Sequence, residues 1–235
     1  MDNSKVKKEF SKYANRYNHY NIVQQIVSKA LVREIESKKP KKILELGCGS
    51  GQIFKNIDFD FDYYKAIDFS QQMCDIHPKA KNLNIVCLDF DSEEFLQNIK
   101  DDRYDLVLSS SALQWSKDLS KITNALSKIT NHIEMVLFTS NTFKTIFELT
   151  NTKSPILDVD TIKKAFSSSF DCEFEILNYK IEFDNKKDLF SYIKNSGVSG
   201  ETNNLSYKDA KYLYKNYNLN YLEFEVIFVK GSKKC

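Results

Sequence analysis

A chain of 235 residues, 42% of them hydrophobic, can bury one substantial core and fits one α/β domain with a modest insertion. Lys and Arg number 34 against 32 Asp and Glu, a formal charge of +2 too balanced for a nucleic-acid binder. The five cysteines (Cys48, Cys74, Cys87, Cys172, Cys235) form no C-x-x-C pair, Met1–Lys8 lacks the apolar core of a signal peptide, and no apolar run reaches membrane-spanning length. A cytoplasmic protein with reduced thiols, no metal site and no membrane or nucleic-acid partner is therefore expected.

From Phe10 to Glu36 apolar residues recur at helical spacing (Ile22, Val23, Ile26, Val27, Ala30, Leu31, Ile35), and Pro40 closes the region. Strand-like and helical runs then alternate. Lys42–Leu46 leads into a helical-looking Gln52–Ile57, and Tyr63–Asp68 into another helix. Asn84–Leu88 precedes the acidic Asp91–Ile99, Tyr104–Ser109 precedes a helix around Leu119–Ile129, and Ile133–Thr139 makes a fifth strand. Such alternation implies a parallel sheet covered by helices on both faces.

Past that point the pattern changes. Residues 140–170 read as helical with a break at Pro155, and Cys172–Leu177 and Tyr179–Phe183 as strands. Asp184–Tyr217 is polar and helical, punctuated by Gly197 and Gly200, and Tyr221–Val229 is a final strand. The fold class expected is α/β: an open, mostly parallel Rossmann-like sheet with an antiparallel end and a helical cap. It forms one domain over 1–235, with N-terminal helices in 1–40 and cap segments at about 140–170 and 184–218.

The segment Lys42-Ile43-Leu44-Glu45-Leu46-Gly47-Cys48-Gly49-Ser50-Gly51 joins an apolar strand, an acid and three alternating glycines. Glycine permits a tight turn and lets a ligand approach the backbone. The spacing is G-x-G-x-G, which is neither the dinucleotide fingerprint nor the phosphate-gripping loop. It matches the first motif of class I S-adenosylmethionine-dependent methyltransferases. The other candidate polar groups also fall at strand ends, where open α/β sheets bind ligands. Asp68, about twenty residues past the glycines, suits ribose hydroxyls. Phe69 and Met73 can cover an adenine face, Asp89 and the Phe90 amide can meet its polar edge, and Ser109 lies under the methionine portion. Glu45 completes the cofactor set. Singly, each acid reads more often as a helix cap than as a ribose ligand, and each aromatic as core.

Two further segments narrow the family. Ser109-Ser110-Ser111-Ala112-Leu113-Gln114-Trp115 resembles the S-N-x-A-L-Q-W signature of malonyl-acyl-carrier-protein O-methyltransferases of biotin synthesis. Phe10-Ser11-Lys12-Tyr13-Ala14-Asn15-Arg16-Tyr17-Asn18 resembles their N-terminal F-S-x-A-A-x-x-Y-D, and similarity continues at Phe138–Ser140, Ile193–Val198 and Leu222–Val229. Ser110 stands for the usual Asn, Tyr13 for a small residue, Asn18 for Asp and Glu45 for the commoner Asp.

The resemblance implies a carboxyl O-methyltransferase. It would esterify the free carboxylate of malonyl-acyl carrier protein, start pimeloyl synthesis for biotin, and leave S-adenosylhomocysteine. A malonyl carboxylate is ionised at neutral pH, so no general base is required, and His19, His77 and His132 form no recognisable catalytic arrangement. No catalytic residue is assigned. In-line positioning can supply roughly 7–11 kcal/mol. Tyr17 reads either as a cover for the methionine end or as a packing residue. Arg16 is either a bidentate carboxylate anchor or a solvated arginine. Gln114 and Trp115 read as pocket floor or as core. A monomer partnered by acyl carrier protein is expected. Two other functions stay open: methylation of another small carboxylic acid or a quinone precursor, and a non-catalytic S-adenosylmethionine-binding module.

Overall fold

The computed structural model describes residues 21–195 and 207–234. Seven strands lie in one sheet of order β3-β2-β1-β4-β5-β7-β6: β1 Lys42–Leu46, β2 Tyr63–Asp68, β3 Leu83–Cys87, β4 Leu106–Ser110, β5 His132–Phe138, β6 Phe170–Glu182 and β7 Tyr221–Lys233. The first five pair in parallel, whereas β7 is antiparallel to both β5 and β6. The strand order reverses between β1 and β4, which opens a crevice beyond their carboxyl ends.

Alternation along the strands divides the core between two faces. Ile43, Tyr64, Ala66, Leu106, Leu108, Val136 and Phe138 join Val23, Val27, Leu31 and Ile35 of helix α1 (Ile22–Glu36) on one side. Leu44, Leu46, Ile67, Val107, Met135 and Leu137 face the other side. There they meet α3 (Glu93–Ile99), α4 (Leu119–Leu126) and α6 (Val159–Ser167), with α2 (Gln71–Ile76) between β2 and β3. A fully buried side chain such as Phe95 contributes about 1.5–3 kcal/mol. Side-chain caps start these helices where the sequence has Ser or Asp: Ser92 accepts from Phe95 N, Asp118 from Lys121 N and Asp158 from Thr161 N.

Beyond Phe138 the β6–β7 ribbon rises past the sheet. It carries α5 (Lys144–Thr150), α7 (Lys186–Asn195) and α8 (Tyr207–Asn216), with aromatic contacts of Phe143 and Tyr192 on Phe224 and of Phe183 on Tyr192.

Three expectations are corrected. Gln52–Ile57 is not a helix but a turn closed by one 3-10 turn over Phe54–Asn56. The following Asp58-Phe59-Asp60-Phe61-Asp62 alternates with strand period, and Phe54 packs edge-on against Phe61 and Tyr64 instead of continuing a helix. The two strands read around Asn178 are one thirteen-residue strand, because Asn178 pairs with Glu225 and keeps the ladder unbroken. The final strand runs on to Lys233, where Gly231 lets it close on Ile133 (an added Cβ would lie 2.8 Å from that side chain).

Candidate active site

The loop after β1 turns through three left-handed glycines, Gly47 (φ 70°), Gly49 (φ 52°) and Gly51 (φ 80°). The first and second are glycine for different reasons. A Cβ at Gly47 would lie 2.1 Å from the Ala112 Cβ, so the loop after β4 is pressed against this one. Among the described residues a Cβ at Gly49 would meet nothing within 4 Å, so that backbone borders open space there. The loop therefore has one packed shoulder and one open front, the shape a ligand cradle requires.

Asp68 fixes this loop. Its Oδ2 accepts from Gly49 N and its Oδ1 from Ser70 N, both at 2.9 Å. Burial raises the carboxyl to about 6 while those two amides pull it down. Each oxygen keeps a second lone pair. Glu45 is 2% exposed and accepts from Tyr64 Oη at 2.6 Å; burial raises it to about 8, against that hydrogen bond and with the Asp68 charge adding. The buried carboxyl lies inside the sheet below the loop, hydrogen-bonded to Tyr64, with burial favouring its protonated form.

The remaining predicted residues lie around the same crevice. Ser109 is fully buried and donates to Leu46 O at 2.7 Å, tying the ends of β4 and β1 together. Asp89 accepts from Asp91 N, Phe90 and Met73 are buried, and Phe69 packs on the core. Gln114 and Trp115 form a 3-10 turn after β4, both buried, with Gln114 Nε2 donating to Ser111 O at 2.7 Å. Ser111, between β4 and this turn, has φ 60°, a backbone state that non-glycine residues seldom adopt. Arg16 and Tyr17, and with them Gly197 and Gly200, lie outside the described residues.

Three residues were missed. His77 is buried beside Gly51, with its Nδ1 at 2.8 Å from Pro78 O and its ring against Phe54. Gln24 and Ser28 of α1 are buried, and Ser28 Oγ lies 3.1 Å from Ser110 Oγ at the end of β4. Their spacing carried a signal: two polar residues four apart on a stripe that is otherwise apolar.

The lysine run at Lys38, Lys39 and Lys41 lines a cavity of about 510 Å³ at the amino ends of the strands, with His132 and Lys230. That is the edge opposite the glycine loop. Among the described residues no helix is long and apolar enough to cross a membrane.

Comparison with known proteins agrees with this geometry. Residues 44–132, from β1 into β5, match the methyltransferase domain family. The YcgJ protein from Bacillus subtilis superposes with a TM-score of 0.62 at 14% identity, covering 88% of this chain and 99% of that one. A putative methyltransferase from Bacillus halodurans C-125 gives 0.62 at 12% identity, with coverages of 88% and 99%; both show the fold alone. Fold and family model together define a methyltransferase domain, similar to the class I S-adenosylmethionine-dependent enzymes.

Within that class it resembles the malonyl-acyl-carrier-protein O-methyltransferases along its whole length. The Buchnera aphidicola enzyme of that name is 26% identical over 234 residues, 100% of this chain and 88% of its own. The Haemophilus influenzae enzyme is 25% identical over 85% of this chain and 79% of its own. That of Bacillus cytotoxicus is 30% identical over 61% of this chain and 52% of its own.

Proposed function

We propose that the protein transfers the methyl group of S-adenosylmethionine to the free carboxylate of malonyl-acyl carrier protein, giving the methyl ester that opens pimeloyl synthesis for biotin. The observation that carries this reading is similarity to enzymes of that name from Buchnera aphidicola and Haemophilus influenzae along nearly the whole chain, cap segments included.

The site fits the cofactor on its own chemistry. The open front of Gly49 admits a ligand to bare backbone, and a buried acid stands behind it. In this reading Gly47, Gly49 and Gly51 take the methionine end, with Ser109 and Glu45 holding the strands beneath and Tyr17 covering it. The free lone pairs of Asp68 take the ribose hydroxyls. Asp89 and the Phe90 amide read the adenine, between Phe69 and Met73. When bound, the cofactor supplies an electrophilic methyl on a sulfonium. The protein's residues bind, orient and exclude water: the acceptor is already a carboxylate, and two opposite charges that cancel in the transition state react faster where water is kept away. Gln114 and Trp115 form the floor on the acceptor side, Arg16 anchors the carboxylate, and segments 140–170 and 184–218 form the cap.

Rival acceptors separate in one experiment. Rates with malonyl-acyl carrier protein, acetyl-acyl carrier protein, free malonate and a phenolic quinone precursor are compared at saturating S-adenosylmethionine. The reading predicts turnover of the first and none of the second, which lacks the carboxylate. Turnover of the phenol alone moves the protein to another branch of the class.

A further inference from the structure

Helix α1 runs down the sheet, because the chain just past its far end places Lys38 Nζ 2.5 Å from Glu134 on β5, ahead of β1. Its buried face holds Val23, Val27, Leu31, Val32 and Ile35, with Gln24 and Ser28 as the polar residues among them. Ser28 Oγ donates to Gln24 O at 2.7 Å and meets Ser110 Oγ at the carboxyl end of β4. Gln24, four residues nearer the start of α1, lies about 6 Å further along the helix axis than Ser28. Ser110 Oγ lies 3.5 Å from Ser111 Oγ, and Gln114 Nε2 holds Ser111 O. A continuous polar seam thus links α1 to the loop that presses on Gly47.

At the two ends of that seam Gln24 Oε1 and Gln114 Oε1 are buried and, among the described residues, accept no hydrogen bond. Gln24 is 5% exposed and Gln114 4%. Water compensates a buried carbonyl in the unfolded chain, so leaving two unpaired works against folding. Two such acceptors in one seam beside the cofactor loop call for a ligand that brings hydrogen-bond donors. A malonyl carboxylate has none. The arm that presents acyl thioesters on carrier proteins carries amide N–H groups.

We propose that Gln24, together with Gln114, is a specificity residue that accepts N–H donors from the amide-bearing arm of the acyl acceptor. This rests on the carrier-bound acceptor assigned above. Gln24 touches no reacting atom in this scheme; it sets the depth at which the arm delivers its carboxylate.

The test is Gln24→Met, which keeps length and removes the oxygen. In the ligand-free protein the melting temperature should stay or rise, because an unpaired buried acceptor is gone. Affinity for S-adenosylmethionine should stay within twofold. At saturating S-adenosylmethionine, kcat/KM for malonyl-acyl carrier protein should fall at least tenfold, mainly through KM, and Gln114→Met should do the same. A variant that melts lower or fails to fold overturns the proposal, since the side chain is then packing. Unchanged kcat/KM overturns it by showing that water serves the oxygen. A tenfold loss of S-adenosylmethionine affinity overturns it too, assigning the oxygen to the cofactor's ammonium. Wild-type protein inactive on malonyl-acyl carrier protein would instead remove the acceptor assignment on which this inference stands.

Discussion

At the scale of single residues, the glycine loop separates fold from function. Gly47→Ala drives a Cβ to 2.1 Å from Ala112 and sets a left-handed φ on alanine. It should lower the melting temperature strongly, with a loss of about 3 kcal/mol once overpacking and strain are added. Gly49→Ala has the strain, about 1–2 kcal/mol, but no clash. Its expected signature is a modest melting shift with a loss of S-adenosylmethionine affinity of at least tenfold, read by calorimetry; full affinity would show that the open front is not a cradle. Glu45 gives a pH prediction. Its folded value, about 8, stands above its ordinary 4.5, so its protonated form favours the fold. That contribution is complete below pH 4.5 and is lost as pH rises through 8, at about 1.4 kcal/mol per unit. Glu45→Gln should therefore flatten the fall in melting temperature between pH 4.5 and 8. An unchanged slope would place the titration elsewhere.

Elements were legible wherever period and caps agreed. Lys42–Leu46 and Tyr63–Asp68 were delimited to the residue, because apolar runs end there at an acid or a glycine. The capped starts at Ser92, Asp118 and Asp158 are local chemistry, and each is testable: Asp118→Ala should cost about 1 kcal/mol in urea melts. A cost near zero would mean that α4 is held by packing alone. Gln52–Ile57 misled because helical composition extends for only one turn before the Asp/Phe alternation of 58–62 takes over. Asn178 misled because a residue poor in strand propensity is carried by its antiparallel partner, and pairing outweighs propensity. The ends of β1, β2 and β4 were readable because their polar residues fall there in chain order, and Gly49, Asp68 and Ser109 are hydrogen-bonded at those ends. The α1 side was not, because Gln24 and Ser28 acquire meaning only when α1 is laid against β4, a long-range contact that no local period encodes.

For the whole molecule, the direction of the sheet decides which surface can meet a carrier protein. The cofactor crevice lies at the carboxyl ends of β1 and β4, whereas Lys38, Lys39, Lys41 and Lys230 gather at the amino ends. A carrier feeding its arm into the crevice does not use that basic edge. Lys39→Glu combined with Lys230→Glu should leave kcat/KM for malonyl-acyl carrier protein within about twofold. A large fall would relocate the docking surface. Raising ionic strength should still slow the carrier-bound substrate more than a small malonyl thioester, because protein–protein steering is screened and a small anion's contacts in the crevice are less so.

The central claim is that a carboxylate on a carrier protein receives the methyl group. Its most direct test incubates the protein with isotopically labelled S-adenosylmethionine and malonyl-acyl carrier protein and follows the carrier by intact-mass spectrometry. The expected result is a gain of one labelled methyl in exchange for a proton, retained at neutral pH and removed by mild base as an ester should be. A carrier whose mass does not change, beside confirmed cofactor binding, would contradict the carboxyl-methylation account while leaving the methyltransferase fold in place.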